Sequence, residues 1–295
     1  MNKILVVTGG AGFVGSNLIE YFLNKTNYQI ISLDDYSSGS KKNHIKDKKV
    51  KYIKGHTKDI NKILFKYKNR IKALFHFGEF ARIYQSFGQM NNCIQSNTIG
   101  TNAVFDFCLK NRIKLIYSAT SASLGNRGKD RDLSPYAFTK AKNLEFLENL
   151  KKWFNFKYEV IFFYNVYGPR QISKGNMATV IGIFEDCFLK NKPLPIVRPG
   201  TQSRRFTHIF DTIDVCFKAW QKNKCIYYSI SNKDSYSILS VARFFKSKTK
   251  FLPPRKGERF ASALTNMSLS NRVQKNFGKI RLKDYVEDFL KKNKK

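Results

Sequence analysis

The chain has 295 residues, enough to bury an α/β core as one large domain or two unequal ones, and its 42% hydrophobic content excludes a disordered polymer. Lys and Arg number 54 against 21 Asp and Glu, a formal charge of +33. No apolar run approaches the roughly 18–20 residues of a membrane-spanning helix.

The first half alternates short apolar runs with helix-like stretches, the pattern of a doubly wound parallel sheet with helices on both faces. Strands are expected at residues 4–8, 29–33, 50–53, 73–77, 114–118 and 158–164, and helices at 16–24, 97–111 and 136–154. After Pro169 the chain becomes richer in Pro, Gly and loops, and a last amphipathic helix is expected at 282–292. This divides the chain into a dinucleotide-binding domain over 1–168 and a mainly substrate-binding region over 169–295. Further strands for the sheet are expected from about 205–235.

Cys93, Cys108, Cys187, Cys216 and Cys225 form neither a CxxC pair nor a His-supported metal spacing. They read as buried or idle thiols in a reducing compartment, with no metal site. The short apolar opening is broken by glycines and lacks a small-residue cleavage site, so a soluble cytoplasmic protein without membrane attachment is expected. Charge on this scale could serve nucleic acid. The lysines, however, are scattered through 46–54, 62–72, 218–224 and 291–295. That spread favours a solvated basic surface attracting anionic substrates over a nucleic-acid partner.

Thr8-Gly9-Gly10-Ala11-Gly12-Phe13-Val14-Gly15 follows the first strand directly and opens a helix. Glycines permit the tight turn, and the helix N-terminus offers unpaired N–H groups to a pyrophosphate. Strand two ends in Leu33-Asp34-Asp35, about 20 residues after the glycines. A carboxylate there accepts hydrogen bonds from ribose hydroxyls and repels a 2′-phosphate, favouring NAD over NADP.

Tyr136-Ala137-Phe138-Thr139-Lys140 puts Tyr and Lys one helical turn apart on one face. A tyrosine with a pKa of about 10 is a poor base. A neighbouring ammonium and a positive nicotinamide ring both stabilise its phenolate.

With these motifs in this order, the chain resembles the extended short-chain dehydrogenase/reductases. Within them it resembles the NAD-dependent nucleotide-sugar epimerases and dehydratases of the UDP-glucose 4-epimerase-like group. The resemblance extends through His76-Phe77-Gly78, Asn97 with Gly100-Thr101, the run from Tyr164 through Asn165 to Arg170, Arg204 to His208, and Arg255-Lys256-Gly257-Glu258. It implies Tyr136, Lys140 and Thr120 as the catalytic group. Gly9, Gly12, Phe13, Val14, Gly15, Asp34, His56, Thr57, Phe77, Gly78 and Asn97 are implied for the cofactor, with Tyr136 and Lys140 also touching it. Thr120, Asn165, Arg204, Arg255 and Glu258 are implied for a nucleotide-diphosphate sugar. Family dehydratases carry Asp-Glu in the two positions after the Thr120 hydroxyl, and decarboxylases carry a Glu there. Here those positions are Ser121 and Ala122, which leaves 4-epimerisation through a transient 4-keto sugar.

The resemblance also implies a homodimer built from the helices beginning near Asn97 and Tyr136. Phe105, Phe107, Leu144, Phe146 and Leu147 supply either that face or the core. His208 is expected to support its loop, and Arg205 replaces a usual Asp and receives no role. His56 stands where an Asp commonly meets the adenine, Leu124 replaces a frequent tyrosine, and the loop over 125–135 is short. Glu79 and Arg82 are unusual charges near the pocket, read as a substrate-specific ion pair or as solvated side chains. The alternatives are a reductase or dehydrogenase that exchanges its cofactor each turnover, and a non-catalytic basic nucleic-acid binder.

Overall fold

Each apolar run of the first half becomes a strand of one eight-stranded sheet in a computed structural model that describes residues 3–122, 131–222, 224–257 and 273–293. The strands are β1 (Ile4–Thr8), β2 (Gln29–Asp34), β3 (Val50–Lys54), β4 (Ile71–His76), β5 (Lys114–Thr120), β6 (Tyr158–Phe163), β7 (Tyr227–Ser231) and β8 (Val273–Phe277). Their order across the sheet is 8-7-6-5-4-1-2-3, with every pairing parallel. The order reverses between β1 and β4, and in such sheets the crevice beyond the carboxyl ends of those strands is where ligands bind.

Both faces of the sheet are covered, which is why its strands read as near-continuous apolar runs rather than alternating ones. On one face Val6, Leu74, Leu115 and Val160 pack with Phe105, Phe107 and Leu147 from helices Thr101–Lys110 and Pro135–Phe154. On the other, Leu5, Val7, Phe75, Ile116 and Ile161 meet Leu18, Ile19 and Phe22 of helix Phe13–Lys25 and Ile213 and Cys216 of helix Ile209–Lys222. A separate core of Phe184, Leu194, Ile196, Phe206, Val241, Phe245, Val286 and Leu290 consolidates the C-terminal region. Among the described residues no helix is long and apolar enough to cross a membrane.

Two elements depart from the sequence reading. The helix expected from residue 97 runs on from Met90–Ile94 through a wide π-helical turn at Gln95–Gly100 before Thr101–Lys110. Its polar opening, with Cys93 its one buried residue, carries no apolar period and no capping side chain to announce the start. Strand β8, Val-Gln-Lys-Asn-Phe, is a half-buried edge strand whose polar composition hides it, as edge strands commonly require.

The amino-terminal ends of the strands are tied by one buried pair. Glu159 of β6 has a fully buried side chain and accepts from the N–H groups of Cys225 and Ile226 at 3.0 and 2.9 Å, where the chain enters β7. Lys114 of β5 lies 3.2 Å from that carboxylate and donates to the carbonyls of Ala219 and Trp220, both at 2.9 Å. The ammonium thus closes the carboxyl end of helix Ile209–Lys222, where the helix dipole favours a cation. Lys114→Met is expected to lower unfolding stability by about 3 kcal/mol, because it strands a buried carboxylate. NAD affinity should stay unchanged, since Thr120 at the other end of β5 is about 20 Å away. Urea denaturation and NAD titration of the variant check both halves.

Candidate active site

The turn from β1 into helix Phe13–Lys25 can be built only from glycine at two points. Gly9 has φ +69°, and a Cβ there would lie 2.8 Å from the Phe77 carbonyl. At Gly15 a Cβ would lie 2.2 Å from the Gly9 oxygen. No side chain caps the helix that follows. Its first N–H groups and dipole are therefore directed into the crevice between β1 and β4. Asp34, 6% exposed at the end of β2, accepts from the Ala11 and Tyr36 N–H groups at 2.9 and 2.8 Å. Burial pushes its carboxyl above the ordinary value while those two donors pull it back. A glycine cradle, an uncapped helix and a carboxylate at the next strand end together fit a dinucleotide.

His76 at the end of β4 is fully buried, and desolvation lowers its pKa to about 4, so it is neutral. The Thr8 hydroxyl accepts from the Phe77 and Gly78 N–H groups, both at 3.1 Å, so its proton goes to His76 Nδ1 at 2.7 Å. The imidazole proton is then on Nε2 and is donated to the Thr101 hydroxyl at 2.9 Å. Thr101 passes its own proton to Glu79 Oε1 at 3.0 Å, where Tyr117 also donates at 3.0 Å. The remaining oxygen, Glu79 Oε2, receives Lys140 Nζ. Side chains of this pair are 2% and 4% exposed. Desolvation lowers the Lys140 pKa, and the carboxylate opposes that shift. Glu79 therefore pairs with Lys140 and not with Arg82.

Tyr136 follows the Ser134 cap and Pro135 at the first turn of helix Pro135–Phe154, so the sequence itself sets where this helix begins. The ring packs with Phe80, Ala122 and Ala137. Thr120 ends β5, its hydroxyl accepting from the Ala122 N–H at 3.1 Å. Tyr136, Lys140, Thr120, Ser121 and Ala122 line one cavity of about 510 Å³ with Gly9, Gly12, Phe13, Val14, Gly15, Asp34, Thr57, Phe77 and Gly78.

The opposite wall comes from the C-terminal region. Asn165, with φ +35°, is tied to the Arg205 carbonyl at 2.9 Å, and Arg204 sits on a short strand, Ser203–Arg205, paired antiparallel with Ser235–Ser237. Arg255 stacks its guanidinium 5.3 Å over the Tyr84 ring. All three arginine and asparagine side chains line the same cavity. His208 accepts from the Phe210 N–H at 3.3 Å, which holds its loop.

Two expected cofactor residues, Asn97 and His56, do not line the cavity. Asn97 is fully buried behind the wall, its amide bonded to both the N–H and the carbonyl of Phe80 at 2.7 and 3.0 Å. His56 caps the short helix Thr57–Asp59 through Lys58 N–H at 3.1 Å. Glu258 and Leu124, with most of the loop after it, lie outside the described residues. The cavity also holds Gln202, 2% exposed, whose buried Oε1 has no partner among the described residues. A lone glutamine in a loop carries no motif, so only its position reveals it.

With this geometry in hand, the chain belongs to the NAD dependent epimerase/dehydratase family, whose model matches residues 5–230. NAD is accordingly its cofactor. It is 27% identical over 274 residues to a putative UDP-glucose 4-epimerase of Methanocaldococcus jannaschii, covering 86% of this chain and 87% of that one. A crystal structure of Thermotoga maritima UDP-glucose 4-epimerase with UDP-glucose shares the fold with a TM-score of 0.86 at 23% identity, covering 99% and 100% of the two chains. So does a dTDP-glucose 4,6-dehydratase of Streptomyces venezuelae with NAD bound, at a TM-score of 0.84 and 18% identity, covering 98% and 97%.

The neutral His76 gives the fold a pH dependence of known sign. Its folded pKa lies near 4 and its unfolded one near 6.5, so the unfolded chain takes up the proton first as pH falls. Stability contributed by this group is complete above pH 6.5 and is lost between 6.5 and 4, amounting to about 3 kcal/mol. Denaturation between those pH values should show this slope, and His76→Gln should flatten it.

Proposed function

We propose that the protein catalyses NAD-dependent 4-epimerisation of a nucleotide-diphosphate sugar of the UDP-glucose/UDP-galactose type. The observation that carries this reading is the acid inventory of the cavity. Among the described residues its carboxylates are Asp34, Asp35 and Glu79. The first two stand at the end of β2, beside the glycine cradle, and both oxygens of Glu79 are committed to protein donors. Beside Tyr136 and Thr120 stand Ser121 and Ala122, which cannot exchange protons as eliminating water would require.

In this reading the sugar ring lies between Thr120 and Tyr136, and the diphosphate meets Arg204 and Arg255. Forked guanidinium donors suit phosphate oxygens. Thr120 Oγ1 orients the 4-hydroxyl, and Tyr136 Oη takes its proton. Lys140 Nζ and Asp34 hold the cofactor's two riboses, and Asn165 and Gln202 steady the sugar and its link to phosphate. NAD held by the glycine turn, Asp34 and Lys140 would supply the hydride acceptor and donor for C4 of the sugar. Tyr136 Oη then returns the proton to the new hydroxyl.

The proposal includes a homodimer through helices Thr101–Lys110 and Pro135–Phe154. Phe105, Phe107 and Leu147 are core residues, so the contact falls to partly buried Leu144 and Phe146 and to exposed Phe154. Light scattering on the purified protein checks the mass.

Purified protein incubated with UDP-glucose, UDP-N-acetylglucosamine and UDP-xylose, without added NAD, should form a 4-epimer with no net NADH absorbance. A steady gain or loss of that absorbance would instead mean a dehydrogenase or reductase. Tyr136→Phe should lower kcat at least about a hundredfold with KM little changed.

A further inference from the structure

Arg255 and Lys256 reach the cavity from a segment with no ladder of its own. Strand Thr249–Leu252 stops before Pro253 and Pro254, and among the described residues no backbone hydrogen bond is made by 253–257. What meets the segment is helix Ile83–Gly88, in the loop after β4. The Arg255 guanidinium lies 5.3 Å from the centre of the Tyr84 ring, and Lys256 Nζ lies 4.8 Å from that of Phe87. Gly257, at φ +75°, completes the fit, because a Cβ there would come within 2.8 Å of Phe87 and 3.2 Å of Ile83. Tyr84 and Phe87 are three residues apart on the helix, so their rings are neighbours and receive two consecutive cations.

The helix is a firm support. Ser86 is fully buried, its hydroxyl donating to the Ile83 carbonyl at 2.6 Å and accepting from the Tyr136 N–H at 3.3 Å. Ile83 packs against the cluster of Phe80, Ala122 and Tyr136. Tyr84, Arg255, Lys256 and Gly257 line the cavity, so the contact crosses its rim from one half of the chain to the other. The kind of partner decides what the cations remain able to do. A carboxylate would hold them but would also neutralise them and take their donors. An aromatic face attracts a cation through its quadrupole and carries no net charge. A guanidinium stacked by its face keeps the N–H groups of its edges, which lie in its own plane, for an anion.

We propose that Tyr84 and Phe87 are positioning residues that hold Arg255 and Lys256 over the cavity as a two-cation grip on the substrate's diphosphate. The proposal rests on the reading that Arg255 meets that diphosphate, and it adds Lys256 to the grip. Arg204 needs no such support, because its strand Ser203–Arg205 is paired with Ser235–Ser237. Arg255 stands on unpaired chain, and without the rings both long side chains would have to be ordered by the ligand itself. That ordering costs affinity, and a preformed stack removes part of the cost. Tyr84 and Phe87 therefore set how tightly the nucleotide part is held, while the chemistry at Tyr136 proceeds at the rate its own neighbours allow.

The test is calorimetric titration of the NAD-saturated protein with UDP, and again with dTDP, which carries the same diphosphate. Tyr84→Leu should weaken binding of the diphosphate about fivefold, and Tyr84→Phe, which keeps the ring face, should stay within about twofold. Phe87→Leu and Lys256→Met should each weaken it about threefold or more. In an Arg255→Met background, Tyr84→Leu should change affinity by less than about twofold, because its partner is already gone. In turnover the Tyr84→Leu loss should fall on KM, with kcat and NAD affinity within about twofold. Equal losses from Tyr84→Leu with and without Arg255 overturn the proposal, and so does unchanged affinity in Lys256→Met. A fall in kcat or in NAD affinity also overturns it, since the helix would then merely shape the wall beside Tyr136. The titration needs no turnover, so a complete cycle without epimerisation of any nucleotide sugar would count against the epimerase reading alone. Binding of neither UDP nor dTDP would overturn the diphosphate reading and the grip together.

Discussion

A lysine with 4% of its side chain exposed needs a carboxylate, and the active cavity is organised around meeting that need. Desolvating an ammonium costs several kcal/mol unless attraction and hydrogen bonds offset it. Glu79 does so from the loop after β4, and its own demand for donors recruits Thr101, Tyr117 and Asn143 from three other elements. Through Thr101 and His76 the network reaches Thr8, which accepts from the two N–H groups beside the glycine turn. One continuous chain of hydrogen bonds thus joins the end of β1 to the end of β5 and to the Tyr136 helix. This chain of contacts holds the cofactor cradle and the reacting end in a common register.

The same loop explains why Asn97 lies off the cavity wall. A chain carrying a buried acid and a half-buried arginine within four residues needs an external restraint. Asn97 provides it by pairing both backbone groups of Phe80, as a strand neighbour would. The π-helical turn at Gln95–Gly100 widens the helix at that point. Such turns are frequent at functional sites, and this one acts on the site through the loop it secures.

The sheet, its helices and most of the cavity were legible because their signals are local. Gly9 and Gly15 announce a turn that nothing larger can make, and Ser134-Pro135 announces the start of the Tyr136 helix. What escaped depends on contacts between distant segments. Glu79 and Arg82 are three residues apart and invite pairing with each other, yet the carboxylate turns to Lys140, 61 positions away. Gln202 and strand β8 likewise acquire meaning only from what they face. Sequence spacing reports neighbours along a helix or strand, and it cannot report which of two nearby charges a folded loop turns inward.

An acid near a reacting group is not thereby an acid available to it. Glu79 touches the lysine of the Tyr-Lys pair, and by proximity alone it would qualify as the proton donor that a dehydratase needs. Its lone pairs decide otherwise. Oε2 is engaged by an ammonium and Oε1 by three donors, so protonating the group would break charge-assisted bonds while leaving a buried cation unmatched. The energy that makes Glu79 a good anchor for Lys140 is the same energy that removes it from proton traffic. Among the described residues, the proposed role of Tyr136 then needs no second acid, because a cycle that removes a proton and restores it at the same oxygen asks for a single exchangeable proton.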